Sequence, residues 1–141
     1  MSEASKDEIV TAKLLHTAVL TRLSGISTSD VDPIPDKLYL HVSGNVEWSP
    51  WSGHAWGTAT VTTDKKGKHK YKVDKLKLRI VMNTPEKQDK TESKKNASKV
   101  DNDVVWTVVP IPQQDRGPHS VFTATATDER FGTWSTKTTV Y

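Results

Sequence analysis

The sequence contains no cysteine. That excludes a disulfide framework, a cysteine nucleophile and any thiolate metal site. Aromatic residues make up 7% of the chain, yet five of them are tryptophan, three packed into residues 48–56. No apolar run approaches the roughly 18 residues that a membrane-spanning helix needs. The first residues, MSEASKDEIV, carry acids and no apolar core, so no Sec leader is expected, and the protein should be cytoplasmic or enter a particle assembled there. No phosphate-binding loop, dinucleotide fingerprint or nucleophile elbow is present. None of the five histidines has a metal-ligand spacing, and no cofactor is expected.

What is present is polar. Hydrophobic residues are 34% of the 141, and charged residues 26%. This length fits one domain. The low apolar content suits a thin two-layer sandwich with one wet face per sheet. The net charge of +3 is unevenly spread: residues 65–99 hold 13 Lys/Arg and 4 Asp/Glu, and the remainder holds 7 and 13. Such a split points to a polyanion or an acidic partner surface, unless the lysines only solvate a hairpin. The lysines at issue are Lys65, Lys66, Lys68, Lys70 and Lys72.

Ser5-Lys6-Asp7-Glu8 has the spacing of a capping box. Ile9, Ala12, Leu15, His16, Val19 and Leu23 follow at helical spacing, and Gly25 is a plausible stop. The pattern predicts an amphipathic helix over about residues 6–24, within a docking arm of residues 1–26. Such a helix is marginal alone. Ile9, Leu15, Val19 and Leu23 are therefore expected to dock on a protein partner or a second copy. Residues 27–37, with Pro33 and Pro35, read as a linker.

From Leu38 the period changes to two, and residues 38–141 read as a β-sandwich. Gly44-Asn45 suggests a turn or a bulge. Trp48, Trp51, His54 and Trp56 fall in a stretch broken by Pro50 and Gly53, read as a loop. Aromatics there suit a sugar-binding platform, or a plug for the end of the sandwich. Asp64-Lys-Lys-Gly67 reads as a turn. In the strand from Lys70 to Met82 the apolar parity switches near Asp74, suggesting a bulge or a change of sheet. Residues 83–102 lack periodicity and read as a long lysine-rich loop. Asp101-Asn102-Asp103 offers hard oxygen ligands for calcium, or a plain turn into the next strand.

The C-terminal quarter carries a resemblance. Val105-Trp106-Thr107, Gly117-Pro118-His119, the alternation Thr123-Ala124-Thr125-Ala126-Thr127 ending in Asp128, Gly132, and Thr133-Trp134-Ser135-Thr136 follow in order. Residues 104–141 thereby resemble the end of a bacterial or bacteriophage immunoglobulin-like (Big-type) domain. The resemblance implies an all-β, immunoglobulin-like antiparallel β-sandwich, here with an N-terminal amphipathic helix extension. It also implies a structural or adhesive module, such as an accessory component of a virion, with no catalytic residues. Two other functions remain open: glycan binding through the tryptophans, and polyanion binding through the lysines.

Overall fold

The computed structural model describes residues 10–24, 34–48, 53–82, 88–106 and 120–140. These form eight strands: β1 (Val10–Thr21), β2 (Lys37–Trp48), β3 (Gly53–Thr62), β4 (Val73–Met82), β5 (Gln88–Ala97), β6 (Lys99–Trp106), β7 (Ser120–Asp128) and β8 (Gly132–Val140). They make two four-stranded sheets, in the orders β1-β2-β3-β6 and β5-β4-β7-β8. Every pairing is antiparallel. The fold is an all-β sandwich.

The expected N-terminal helix is overturned. Residues 10–21 are β1, paired along their whole length with β2, from Val10↔Trp48 to Thr21↔Lys37. No helix is found among the described residues, so β1 belongs to the sandwich and is not a separate docking arm. Ser5 to Ile9 lie outside the described residues. The reason for the misreading is geometric. Leu15, Val19 and Leu23 are four apart, which places them on one face of a helix and equally on one face of a strand. The even positions decide between the two: Leu14 and Leu20 are buried, while Leu15 is 83% exposed. The β-branched Val10, Thr11, Thr17, Val19 and Thr21 favour the extended form.

Most of the expected linker, through Pro33, is likewise not described, but its end is anchored. Arg22 donates its main-chain N–H to Asp36 O at 2.9 Å, and its guanidinium lies 3.1 Å from the Asp36 carboxylate. The expected loop at 83–102 is also corrected, because residues 88–97 and 99–102 are strand. The β4–β5 register keeps one offset from Val73↔Ala97 through Lys75↔Lys95 to Met82↔Gln88 but has no pair at Asp74, where Asn96 has φ 50°. There the buried parity passes from Val73 to Leu76, as the sequence pattern suggested. β2 passes straight through Gly44-Asn45.

The strand order departs from an immunoglobulin sandwich. There the second and third strands lie in different sheets. Here β2 and β3 are paired neighbours, from Tyr39↔Thr62 to Trp48↔Gly53. The C-terminal hairpin agrees with its sequence reading. Phe122, Ala124 and Ala126 face inward and are fully buried, and the Asp128 carboxylate accepts the Arg130 N–H at 2.9 Å in the turn before β8.

The core lies between the sheets. Leu38, Leu40, Val42, Val46, Ala55, Ala59 and Val61 oppose Leu76, Leu78, Ile80, Met82 and Phe122. Each large apolar side chain removed from water contributes about 1.5–3 kcal/mol. Gly44 and Gly57 lie opposite one another and form a notch for the Phe122 ring. A Cβ at Gly44 would sit 2.6 Å from Phe122 Cε2.

A candidate ligand-binding groove

β3 and β6 pair from Gly53↔Trp106 to Thr60↔Lys99. On β3 the small residues Ala55 and Ala59 turn inward, so His54, Trp56 and Thr58 face out. On β6 Val100, Asn102 and Val104 are buried, and Asp101 and Asp103 project to the same outer face. β6 is the edge of its sheet, and β5 is the edge of the other. Across the corner between them, Lys90 of β5 reaches Asp103 of β6 at 3.6 Å. The result is a groove of about 380 Å³ floored by β3 and β6 and walled by β5.

The groove has an aromatic side and a polar side. The His54 and Trp56 rings lie 4.4 Å apart, tilted by 31°. The polar side holds Asp101, Asp103 and Glu92 against a single ammonium, Lys90. Thr58 Oγ1 donates to Asp101 Oδ1 at 2.6 Å. Lys90 Nζ also lies 3.5 Å from Glu92, and His54 Nε2 lies 3.6 Å from Asp103. These pairs are largely exposed, so each is worth at most about 1 kcal/mol and yields readily to a ligand.

Asn102 is the unusual member. It is 5% exposed, and its Nδ2 donates to Leu78 O at 2.9 Å and to Lys90 O at 2.8 Å. Those two acceptors fix the amide orientation, because the flipped form would set three oxygens together. Its Oδ1 is buried without a hydrogen-bond partner, and His54 Nε2 has none either, the Asp103 carboxylate lying 3.6 Å away. A buried polar atom left unpaired costs about 1–3 kcal/mol. Asn102 lines the groove between the two aspartates.

The structure treats the sequence candidates unequally. His54 and Trp56 come together in the groove, on a strand and not in the loop expected for them. Trp48 ends β2 opposite Gly53, and Trp51 lies outside the described residues. Of the five lysines proposed for polyanions, Lys66 and Lys70 converge on a second groove, joined there by Lys99 of β6. Lys65, Lys68 and Lys72 are exposed and take no part in lining it. Leu15, Val19 and Leu23 are exposed at 83%, 46% and 44%, but as strand and post-strand residues, and Ile9 lies outside the described residues. Asp101 and Asp103 point away from Asn102 on a strand and do not converge as a calcium loop would. Among the described residues no three His, Asp or Glu side chains could together hold a metal ion. No helix among them is long and apolar enough to cross a membrane.

Lys90 and Glu92 were missed as site residues, and Asn102 was visible only as part of a possible calcium site. Asp101 and Asp103 were visible only as a possible calcium pair. The usable signal was their spacing of two, which on a strand puts both carboxylates on one face. No known protein family, curated protein or solved structure matches the chain.

Proposed function

We propose that this protein is a glycan-binding module, and that the β3–β6 groove takes the sugar. One observation carries the reading: an aromatic pair, His54 and Trp56, faces the carboxylates of Asp101, Asp103 and Glu92 across one groove. A sugar ring has an apolar C–H face to lay on an aromatic ring and a rim of hydroxyl donors. Carboxylates accept from such donors, and charge-assisted bonds of this kind are the stronger ones. The groove's volume falls within the range of small-ligand sites. A glycan array followed by calorimetry tests the reading. Trp56→Ala is expected to weaken binding about 10–100-fold with the fold unchanged. An array without hits, or equal affinity in Trp56→Ala, would falsify it.

A second reading is favoured by β1. It is an edge strand with Leu15 83% exposed and Val19 46% exposed, and Lys13 is its single charged residue. Of the other three edges, β5 carries Asp89, Lys90, Glu92, Lys94 and Lys95 and β6 carries Lys99, Asp101 and Asp103, while β8 carries Lys137 alone. Charged edges resist strand addition, and uncharged ones invite it. A structural or adhesive module that self-associates through β1 is consistent with this contrast, and the oligomeric state in solution tests it.

A further inference from the structure

The second groove lies beside the first on the outer face of the same sheet. It has a volume of about 420 Å³ and shares Thr58 with the first. Three lysines line it, two from the β3–β4 connection and one from β6. Lys66 lies on the turn after β3, Lys70 is bridged to Thr62, and Lys99 starts β6 opposite Thr60. No carboxylate is among its lining residues. None of the three lysines makes an ion pair among the described residues.

The lysine positions are held by the backbone. The Asp64 carboxylate accepts the Lys68 and His69 N–H groups at 2.9 and 2.6 Å, and Gly67 N–H bonds to Asp64 O at 3.1 Å. Gly67 has φ +82°, a conformation that glycine adopts without strain. His41 also lines the groove, but both ring nitrogens are occupied, by Thr62 Oγ1 at 2.8 Å and Thr17 Oγ1 at 3.1 Å. The charged donors left for a ligand are the three ammonium groups.

Along β6 the outward charge changes sign within two residues. Lys99 belongs to the second groove, and Asp101 and Asp103 to the first. We propose that the lysine groove is an anion subsite of the same binding surface. It takes the sulfate or carboxylate of an acidic sugar while a neighbouring ring lies against Trp56. This rests on the glycan reading and adds the ligand class. The carboxylates of the first groove repel an anion, and the lysines of the second attract one. The ligand therefore carries its negative group at one end. Lys99 to Asp103 spans ~13 Å at the rise of a β-strand, the scale of a short oligosaccharide.

The test uses the intact protein and a matched pair of tetrasaccharides. One is sulfated, and the other is its desulfated, carboxyl-reduced counterpart. A second sulfate-free pair, differing only in uronic acid against neutral sugar, separates sulfate from carboxylate as the anion. The acidic member of at least one pair is expected to bind about tenfold more tightly at low salt. The triple variant Lys66→Ala/Lys70→Ala/Lys99→Ala should lose that preference and keep its affinity for the neutral sugar. Trp56→Ala should weaken both. Near-UV circular dichroism confirms that the variants fold. Equal affinity for acidic and neutral members overturns the anion subsite but leaves the glycan reading standing, as does a preference that survives the triple substitution. Binding of neither kind removes both. Tight binding of a DNA or RNA oligonucleotide, sensitive to the lysines and indifferent to Trp56, makes the groove a nucleic-acid site and overturns the proposal.

Discussion

Asn102 on β6 donates its side-chain amide to the main-chain oxygen of Leu78 on β4, 2.9 Å away in the opposite sheet. The same nitrogen reaches Lys90 O of β5 at 2.8 Å. One side chain thus ties an edge strand of one sheet to a strand pair of the other, beneath the floor of the groove. Asn102→Ala removes both bonds, and the expected loss is about 1–3 kcal/mol. Asn102→Asp should be worse at neutral pH, because it sets a buried carboxylate against two carbonyl oxygens. Burial raises the pKa of that carboxyl, and its protonated form can donate again. The damage should therefore shrink as pH falls through that raised value. Urea unfolding at pH 7 and pH 5 measures both effects. Equal stability of the two variants at pH 7 would contradict the account.

The glycine notch gives a graded pair of substitutions. At Gly44 the three atoms nearest an added methyl all belong to the Phe122 ring, the first at 2.6 Å. At Gly57 it meets Ser43 O at 2.5 Å and Phe122 Cε2 at 2.9 Å. A ring can shift, but a carbonyl held in the β2–β3 ladder cannot. Gly44→Ala should cost about 1–3 kcal/mol, the usual range for overpacking, and Gly57→Ala should cost more. Phe122→Leu should recover part of the loss at Gly44 and little at Gly57. Thermal melts of the two double variants decide this; equal rescue at both sites would be the wrong outcome.

The same packing logic shows which parts of the fold were legible. β7 and β8 could be read because Phe122, Ala124 and Ala126 alternate with threonines, and Asp128 closes a recognisable turn. β5 could not be read. Gln88–Ala97 contains no large apolar residue, and the strand is held by its ladder to β4, not by a buried face. β1 carried a spacing of four that a helix and a strand share. At the groove, the aromatic side was visible in the sequence. The polar side was not, because Lys90, Glu92 and Asp101 reach Trp56 only through the non-local β3–β6 and β5–β6 arrangement. Side-chain pattern along the chain carries no record of which edge meets which corner.

The turn after β3 should be sensitive to acid. The Lys68 backbone N–H, followed by the N–H and ring of His69, holds the Asp64 carboxyl down at about 2, against partial desolvation. A depressed carboxyl stabilises the folded form fully above its ordinary range, near 3.8. That contribution fades as pH falls toward about 2. Amide exchange at Lys68 and His69 should therefore show less protection at pH 2 than at pH 5, after correction for intrinsic rates. Asp64→Asn should abolish most of the difference. A carboxyl resonance of Asp64 that titrates near 4 would show that the turn does not hold the charge.

β1 is expected to pair with itself if its edge is used at all. In an antiparallel pairing centred on Thr17, Leu15 of one copy falls opposite Val19 of the other on the outer face, and Lys13 falls opposite Thr21. The apolar pair gains cross-strand contact, and the two lysines stay apart. A register one residue away would place outer side chains against inner ones and lose that match. Light scattering across a concentration series should therefore show a dimer. Leu15→Lys would add a charge to the outer face beside Val19 and should favour the monomer, shifting the dissociation constant at least about tenfold. Thr17→Pro removes an N–H near the centre but also risks the β1–β2 ladder, so Leu15→Lys is the cleaner variant. A wild-type protein that stays monomeric at millimolar concentration rules out this use of the edge.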